Sequence, residues 1–253
     1  MAMQSPKPMS RGWRLWVSRF ALAIAGPIVM LLALEGGLGL GGFGYPTDFA
    51  LKVKDTGSYG MNLRFGWRFF PKSIARSSQL FSFPEVKPPE TYRIFVLGAS
   101  AAQGYPRGAF SFSRILEVML EDAYPATDFE IINTSIVATN SHVVLPIAHE
   151  CADYDPDMFL VYLGNNEVIG PYGLGSSATK TAGALGAVRA GIKLRTTKVG
   201  QLGQHFVDSF SGNDELLENW GGMEMFAEQF VTRDDPALEP VLANFAANLN
   251  GNV

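Results

Sequence analysis

The longest apolar stretch of this chain lies near its start, directly after a basic segment. Residues 20–34 carry no charge, and residues 1–19 carry four basic side chains and no acid. A basic flank followed by an apolar run is typical of a signal peptide or a signal anchor. The run reaches the ~20 residues of a membrane-spanning helix if residues 15–18 join it and Arg19 extends to the headgroups.

The residues after this run indicate whether the helix is cleaved off as a signal peptide or kept as an anchor. Glu35, Gly36 and Gly37 follow it without a small-x-small cleavage pattern, so we expect an uncleaved anchor. The positive-inside rule places the basic flank in the cytoplasm and the rest of the chain on the extracytoplasmic side, periplasmic or extracellular. A buried core helix of a soluble protein is the alternative, which the basic flank and the N-terminal position disfavour. We assign residues 1–44 to this flank and to a single-pass transmembrane helix.

Three shorter apolar runs further along the chain predict buried β-strands. Residues 92–97, 129–133 and 158–163 are rich in apolar, β-branched and aromatic side chains, as strands covered on both faces are. Residues 112–120 carry apolar positions at helical spacing, and residues 141–152 suit a second helix. Alternation of strand and helix predicts right-handed βαβ units and a parallel sheet.

The remaining segments complete the predicted organisation. Proline and glycine interrupt residues 45–90, which we expect to be an irregular lead-in, and residues 91–253 form the α/β domain. Residues 186–210 suit a helix, and a last helix is predicted to begin with Asp235 as its cap and Pro236 as its first residue.

Composition narrows the classes of protein that this chain can be. Apolar residues make up 47% of the 253 residues, which is enough for a sizeable core and too much for a disordered chain. The formal net charge is −4, so we expect no nucleic-acid partner. The single cysteine, Cys151, excludes a disulfide within the chain and a cysteine-based zinc site. No metal or organic cofactor is predicted.

A distinctive polar turn follows each predicted strand. The first turn is Gly98-Ala99-Ser100, the second runs from Asn133 to Asn140, and the third is Gly-Asn-Asn-Glu at 164–167. Because ligands bind beyond the carboxyl ends of parallel strands, we expect a hydroxyl, backbone N–H groups and an amide to gather there. A serine can attack a carbonyl group, and an amide with backbone N–H groups can hold the resulting oxyanion.

These turns resemble the first three sequence blocks of the SGNH/GDSL hydrolases, over residues 91–172. The run Gly-Asn-Asn-Glu resembles in particular a bacterial membrane-anchored subgroup. The resemblance implies a three-layer α/β/α fold with a parallel, flavodoxin-like sheet. It also implies that Ser100 is the nucleophile and that Asn166 supplies the amide of the oxyanion hole.

The same resemblance assigns the groups around the nucleophile. Ala101 would offer its backbone N–H to the oxyanion, and so would Ala138, which stands where the family has a glycine. Supporting positions are Gly98, Gly164 and Glu167.

The general base is where this sequence departs from the family. The family has an Asp-x-x-His block after two more strands, and no such block follows residue 172. His205, with Asp208 three residues after it, is an unusual candidate for the base. We expect instead that the chain is truncated before that block and that its sheet is incomplete, which would leave this chain nearly inactive.

We therefore expect a serine esterase or acyl hydrolase that acts on a small-molecule or carbohydrate ester, such as an O-acetylated envelope carbohydrate. An O-acyltransferase would use the same residues, and the sequence does not separate the two. A non-catalytic binding or scaffold domain with the same fold is the third hypothesis, and the missing histidine block favours it.

Overall fold

The computed structural model describes residues 11–176, 184–211, 231–232 and 234–251, which form a mixed α/β structure. An N-terminal helix precedes a small antiparallel sheet, a parallel sheet and the helices around it. The helices and strands are α1 (Arg11–Leu40), β1 (Ala50–Val53), β2 (Ser58–Met61), β3 (Ser82–Pro84), β4 (Thr91–Gly98), α2 (Ser100–Gln103), α3 (Phe112–Ala123), β5 (Asp128–Asn133), α4 (Ser141–Cys151), β6 (Met158–Tyr162), α5 (Leu185–Leu194), α6 (Lys198–Ser211) and α7 (Leu238–Leu249).

The N-terminal helix α1 is long and apolar enough to cross a membrane. The segment that meets this test, Ser18–Leu40, has 23 residues, and nearly all of its side chains are exposed. A core helix would have its apolar side chains covered, so the exposure favours a membrane anchor or a signal sequence. Pro27 lies inside the helix, as membrane helices tolerate. Residues 1–10 of the predicted basic flank lie outside the described residues.

The three predicted strands form one parallel sheet in the order β5-β4-β6. The central strand β4 places Thr91 opposite Asp128 of β5 and Gly98 opposite Tyr162 of β6. The helix α3 lies between β4 and β5 along the chain, and α4 lies between β5 and β6. The predicted alternation is confirmed, and each predicted strand agrees with the observed one to within one residue at either end. Almost all of β4 is buried, as its uninterrupted apolar run predicts.

A second sheet lies in the segment that we expected to be irregular. Strands β1, β2 and β3 pair antiparallel in chain order. Each has only three or four residues, which is too short for an alternating pattern to stand out among prolines and glycines. Phe65, Phe69 and Phe83 of this segment share one hydrophobic core with Phe95 of β4. The lead-in is therefore part of the packed domain.

A buried arginine joins this lead-in to the parallel sheet. Arg93 of β4 is fully buried, and its guanidinium donates to the Glu130 carboxylate at 2.5 Å. It also donates to the carbonyl oxygens of Tyr154 at 2.6 Å and Pro84 at 3.1 Å. Each guanidinium nitrogen thus has an acceptor, as a buried charge requires.

The predicted helix over 186–210 consists of two helices, α5 and α6. The hydroxyls of Thr196 and Thr197 donate back to carbonyl oxygens near the end of α5, at 2.8 Å in each case. A new helix begins at Lys198, where the carboxylate of Glu35 in α1 accepts from the backbone N–H groups of Lys198 and Val199 at 2.7 and 2.8 Å. A residue of α1 therefore caps α6.

The last helix, α7, begins at Leu238, two residues later than predicted. The side chain of Asp235 accepts a hydrogen bond from the Ala237 N–H at 2.9 Å. Asp235 therefore closes a turn that precedes the helix. This is the other common use of an aspartate before a proline.

Candidate functional site

The polar turns that follow the three parallel strands meet at one edge of the sheet. The second turn continues the hydrogen bonds of β5 along β4, because the Ile136 N–H donates to the Gly98 carbonyl at 3.3 Å. The third turn reaches the second through Asn166, whose amide donates to the Thr139 carbonyl at 3.0 Å. The expected gathering of the three turns is therefore present.

The first turn places Ser100 at the start of a short helix. Ser100 is the first residue of α2 and is partly exposed, while Ala99 before it is buried. Within the described residues, the Ser100 hydroxyl has no hydrogen-bond partner. Ala101 is exposed in the first turn of α2, where backbone N–H groups have no acceptor within the helix. Both groups are thus accessible to a ligand.

Gly98 allows the strand, the helix and the neighbouring strand to approach closely. A Cβ atom at this position would lie 2.5 Å from the Cβ of Ala102 and 2.6 Å from the carbonyl oxygen of Tyr162. No side chain fits into that space. The glycine before Ala99 is therefore required by packing.

The second turn holds Ala138 in a backbone conformation that favours glycine. Its φ is +61°, in the left-handed region that an L-residue with a Cβ adopts only at a cost. The Ala138 N–H makes no hydrogen bond to the described residues, so it is available to a ligand.

The third turn holds Asn166, whose amide the family resemblance would place in an oxyanion hole. Asn166 is buried, and Thr139 accepts from one of its two amide hydrogens. The other amide hydrogen has no acceptor among the described residues. Gly164 begins this turn at a φ of +119°, which a residue with a Cβ rarely adopts.

Glu167 is tied to the start of α4. Its two carboxylate oxygens accept from the backbone N–H and the hydroxyl of Ser141, at 2.9 and 2.7 Å. Burial raises the pKa of Glu167, and the two hydrogen bonds from Ser141 oppose this rise. The acid therefore supports the junction of the second and third turns and does not face solvent.

Asn248 of α7 extends this network, a role that no sequence pattern indicated. Its amide nitrogen donates to the Ser141 hydroxyl at 3.0 Å and lies 3.2 Å from Nδ1 of His142. Its amide oxygen accepts from Arg189 at 2.8 Å. Asn248 is 107 positions from Ser141 in the chain and lies in no motif, whereas Ser141 directly follows the second turn and could have been suspected.

Within the described residues, none of the three histidines forms a hydrogen bond with the Ser100 side chain. His142 is buried, and burial, with Arg189 as the second cause, lowers its pKa to about 4. His149 is exposed on α4. His205 is exposed on α6 and lines a small cavity with Tyr45 and Trp67. No residue that lines that cavity belongs to the three strand-end turns.

The described residues contain no group of three or more His, Cys, Asp and Glu side chains arranged to hold a metal ion. No protein-family model, curated protein or solved structure matches this chain. The geometry of the strand-end turns is therefore the basis for any functional conclusion. These turns offer an accessible hydroxyl, an amide hydrogen and backbone N–H groups, which are the groups that acyl transfer uses.

Proposed function

We propose that this protein is a serine ester hydrolase of the SGNH/GDSL type, with Ser100 as its nucleophile. The observation that carries the proposal is the hydrogen bond from Asn166 to Thr139 at 3.0 Å. It fixes a buried amide at the sheet edge that bears Ser100 and leaves one amide hydrogen to donate. The proposed substrate is an ester of a small molecule or a carbohydrate, such as an O-acetylated carbohydrate of a bacterial envelope.

In the proposed reaction, the Ser100 oxygen attacks the ester carbonyl and a general base takes its proton. The amide of Asn166 and the N–H groups of Ala101 and Ala138 hold the oxyanion that forms. The alcohol leaves, and water releases the acyl group from Ser100 in a second step. The described contacts assign the base to none of the three histidines.

We propose further that the parallel sheet belongs to a three-layer α/β/α, flavodoxin-like arrangement, and that α1 anchors it outside the cytoplasm. The anchor is supported by the exposed apolar surface of Ser18–Leu40 and by the basic residues before it. Basic residues favour the cytoplasmic side of a membrane helix. The family resemblance supports the arrangement of the layers.

A non-catalytic binding or scaffold domain is the second candidate. The observation that favours it is the placement of the histidines, because His142 bonds within the protein and His205 lies beside the lead-in. A serine without a base is a poor nucleophile. The same strand-end turns would then bind an ester or a carbohydrate without cleaving it.

A fluorophosphonate probe separates the two candidates, because it labels only activated serines. Labelling of the full chain in detergent that Ser100→Ala abolishes would show that a base activates Ser100 within this chain. Ser73→Ala is the matched control, since Ser73 is an exposed serine of the lead-in. Labelling that persists in Ser100→Ala would place the nucleophile elsewhere. A folded full chain that is not labelled would show that no base activates Ser100 within it, and the substrate-binding role of the turns would then be tested by ester binding alone.

A further inference from the structure

A basic cavity of about 290 Å³ lies between α4, α5 and α7, away from the strand-end turns. Its lining includes three cations, Arg68, Arg189 and Lys193, and two histidines, His142 and His149. None of the described residues that line it is acidic. A concave surface lined by charges of one sign attracts ligands of the opposite sign.

Among the three cations of the cavity, Arg68 is the buried one. Its guanidinium lies 5.2 Å from the ring centre of Phe65 and 5.3 Å from that of Phe69, and it donates to the Thr47 carbonyl at 3.1 Å. Its Nε is buried and has no hydrogen-bond partner among the described residues. A buried donor without an acceptor is costly, so the positive charge of Arg68 is only partly compensated by its described contacts.

No described carboxylate forms a salt bridge with Arg68. Glu150 is close enough to raise its pKa, against the larger lowering by burial. The Glu150 carboxylate, however, accepts from the backbone N–H groups of Phe49 and Ala50 at 2.6 and 2.8 Å. The charge of Arg68 therefore has no carboxylate in a salt bridge among the described residues, as a buried charge usually has.

The other two cations of the cavity are exposed on α5. Arg189 and Lys193 lie four residues apart, so they are neighbours on one helix face, and like charges at this spacing repel. Neither forms a salt bridge with the described residues. Arg189 is held in place by the carbonyl of Ala247 at 3.2 Å and the side chain of Asn248 at 2.8 Å. A bound anion would relieve the repulsion.

We propose that this cavity binds a phosphoryl anion, carried either by a soluble ligand or by a lipid headgroup. A phosphate group offers several oxygens to donors that approach from different sides, and arginine and lysine are its usual partners. The volume is at the lower end of the range for ligand pockets, so it suits a phosphate with a small attached group. Leu145, Pro146 and Ile192 provide an apolar wall for that group.

The cavity is connected to the strand-end turns through one residue. Asn248 accepts from Arg189 and donates to Ser141, which in turn donates to Glu167 of the third turn. The proposal does not depend on the chemistry of Ser100, because none of the cavity residues belongs to the proposed reaction. Phosphate binding and fluorophosphonate labelling can thus succeed or fail separately.

The test is isothermal titration of inorganic phosphate into the full chain in detergent, with chloride at matched ionic strength as the reference. Lys193→Gln removes an exposed cation of the cavity and should weaken phosphate binding about tenfold, since hydrogen bonds to charged groups are the strong ones. Lys54→Gln is the matched control, an exposed lysine of the lead-in that does not line the cavity. It should leave the affinity unchanged.

Mixed micelles that contain phosphatidate identify the source of the phosphoryl group. Displacement of inorganic phosphate by these micelles, lost in Lys193→Gln, would assign the site to a lipid headgroup. Phosphate binding without displacement would assign it to a soluble ligand. The proposal is overturned if neither probe binds in a Lys193-dependent manner, or if Lys54→Gln weakens binding as much as Lys193→Gln does.

Discussion

Both carboxylate oxygens of Glu167 accept hydrogen bonds from Ser141, one from its backbone N–H at 2.9 Å and one from its hydroxyl at 2.7 Å. Glu167 ends the third strand-end turn, and Ser141 begins α4 directly after the second. The first turn of a helix has N–H groups without partners and favours negative charge. Glu167 supplies both an acceptor and a charge there, so it locks two of the three turns together.

Substitutions at this pair should be coupled. Glu167→Gln replaces an acceptor oxygen by a donor, and we expect it to lower the free energy of unfolding by about 1–3 kcal/mol. Ser141→Ala removes the hydroxyl and should cost about 1 kcal/mol. In urea titrations of the full chain in detergent, the double variant should lose less than the sum, with a coupling of about 1 kcal/mol.

These single and double variants form a double-mutant cycle, and its matched control pairs Glu167→Gln with Ser113→Ala. The Ser113 hydroxyl bonds to Ser111 and Asn133, not to Glu167. Distant substitutions add to within about 0.5 kcal/mol, so this second cycle should show no coupling. Equal behaviour of the two cycles would mean that Glu167 and Ser141 do not act as a pair.

The left-handed backbone conformation of Ala138 predicts that one substitution there stabilises the protein. Glycine adopts a φ of +61° without the cost of a Cβ, so Ala138→Gly should raise the free energy of unfolding by about 0.5–1 kcal/mol. Ala138→Val should lower it by about 2 kcal/mol, because a β-branched side chain is still more strained there. Thermal melting of the two variants measures both effects.

An alanine in an ordinary helix serves as the control for Ala138. Ala187→Gly, on an exposed position of α5, should lower stability by about 1 kcal/mol. A loss of the same size in Ala138→Gly would contradict the left-handed conformation.

Gly98 and Gly191 should respond oppositely to a Cβ. Gly98→Ala brings a methyl group to 2.5 Å from Ala102 and 2.6 Å from the Tyr162 carbonyl, so we expect a loss of about 2–3 kcal/mol. Gly191 lies in α5 with nothing within 4 Å of an added Cβ, and Gly191→Ala should gain about 1 kcal/mol. Chemical denaturation of both variants tests the packing at the strand end. Tolerance of Gly98→Ala would show that the three elements do not meet as closely as described.

The parts of the fold that the sequence predicted are those that local patterns determine. The apolar runs of β4, β5 and β6 mark buried strands by themselves, and their order with helices between them implies a parallel sheet. A parallel sheet places the turns after its strands at one edge, so the positions of Ser100 and Asn166 at that edge could also be predicted. The resemblance that assigns their roles remains a prediction.

The parts that were missed depend on contacts between distant residues. Strand β2 has four residues with a glycine among them, and it is a strand only because β1 and β3 pair with it. Asn248 joins Ser141 and Arg189 from a helix near the other end of the described chain. Arg189 of α5 donates to the Ala247 carbonyl and to the Asn248 side chain of α7. No periodicity or motif carries such information.

The buried His142 should make stability depend on pH. Its pKa in the folded protein is about 4, against an ordinary value of 6.5, because of burial first and Arg189 second. Below pH 6.5 the unfolded chain therefore binds a proton that the folded one does not, and stability falls as the pH falls. The loss should grow from about pH 6.5 down to about pH 4 and reach at most about 3 kcal/mol.

The amide of Asn248 lies beside the ring of this histidine. Its oxygen faces Arg189, so its nitrogen faces Nδ1 of His142, and a protonated imidazole would set two donors against each other. Urea titrations at several pH values give the free energy of unfolding as a function of pH. Between pH 6.5 and 4 this free energy should change less steeply with pH in His142→Gln than in the unsubstituted chain. His149→Gln, an exposed histidine on the same helix, should leave the slope unchanged. If instead His142→Gln keeps the full slope, other groups cause the acid sensitivity, and His142 titrates as a solvated histidine does.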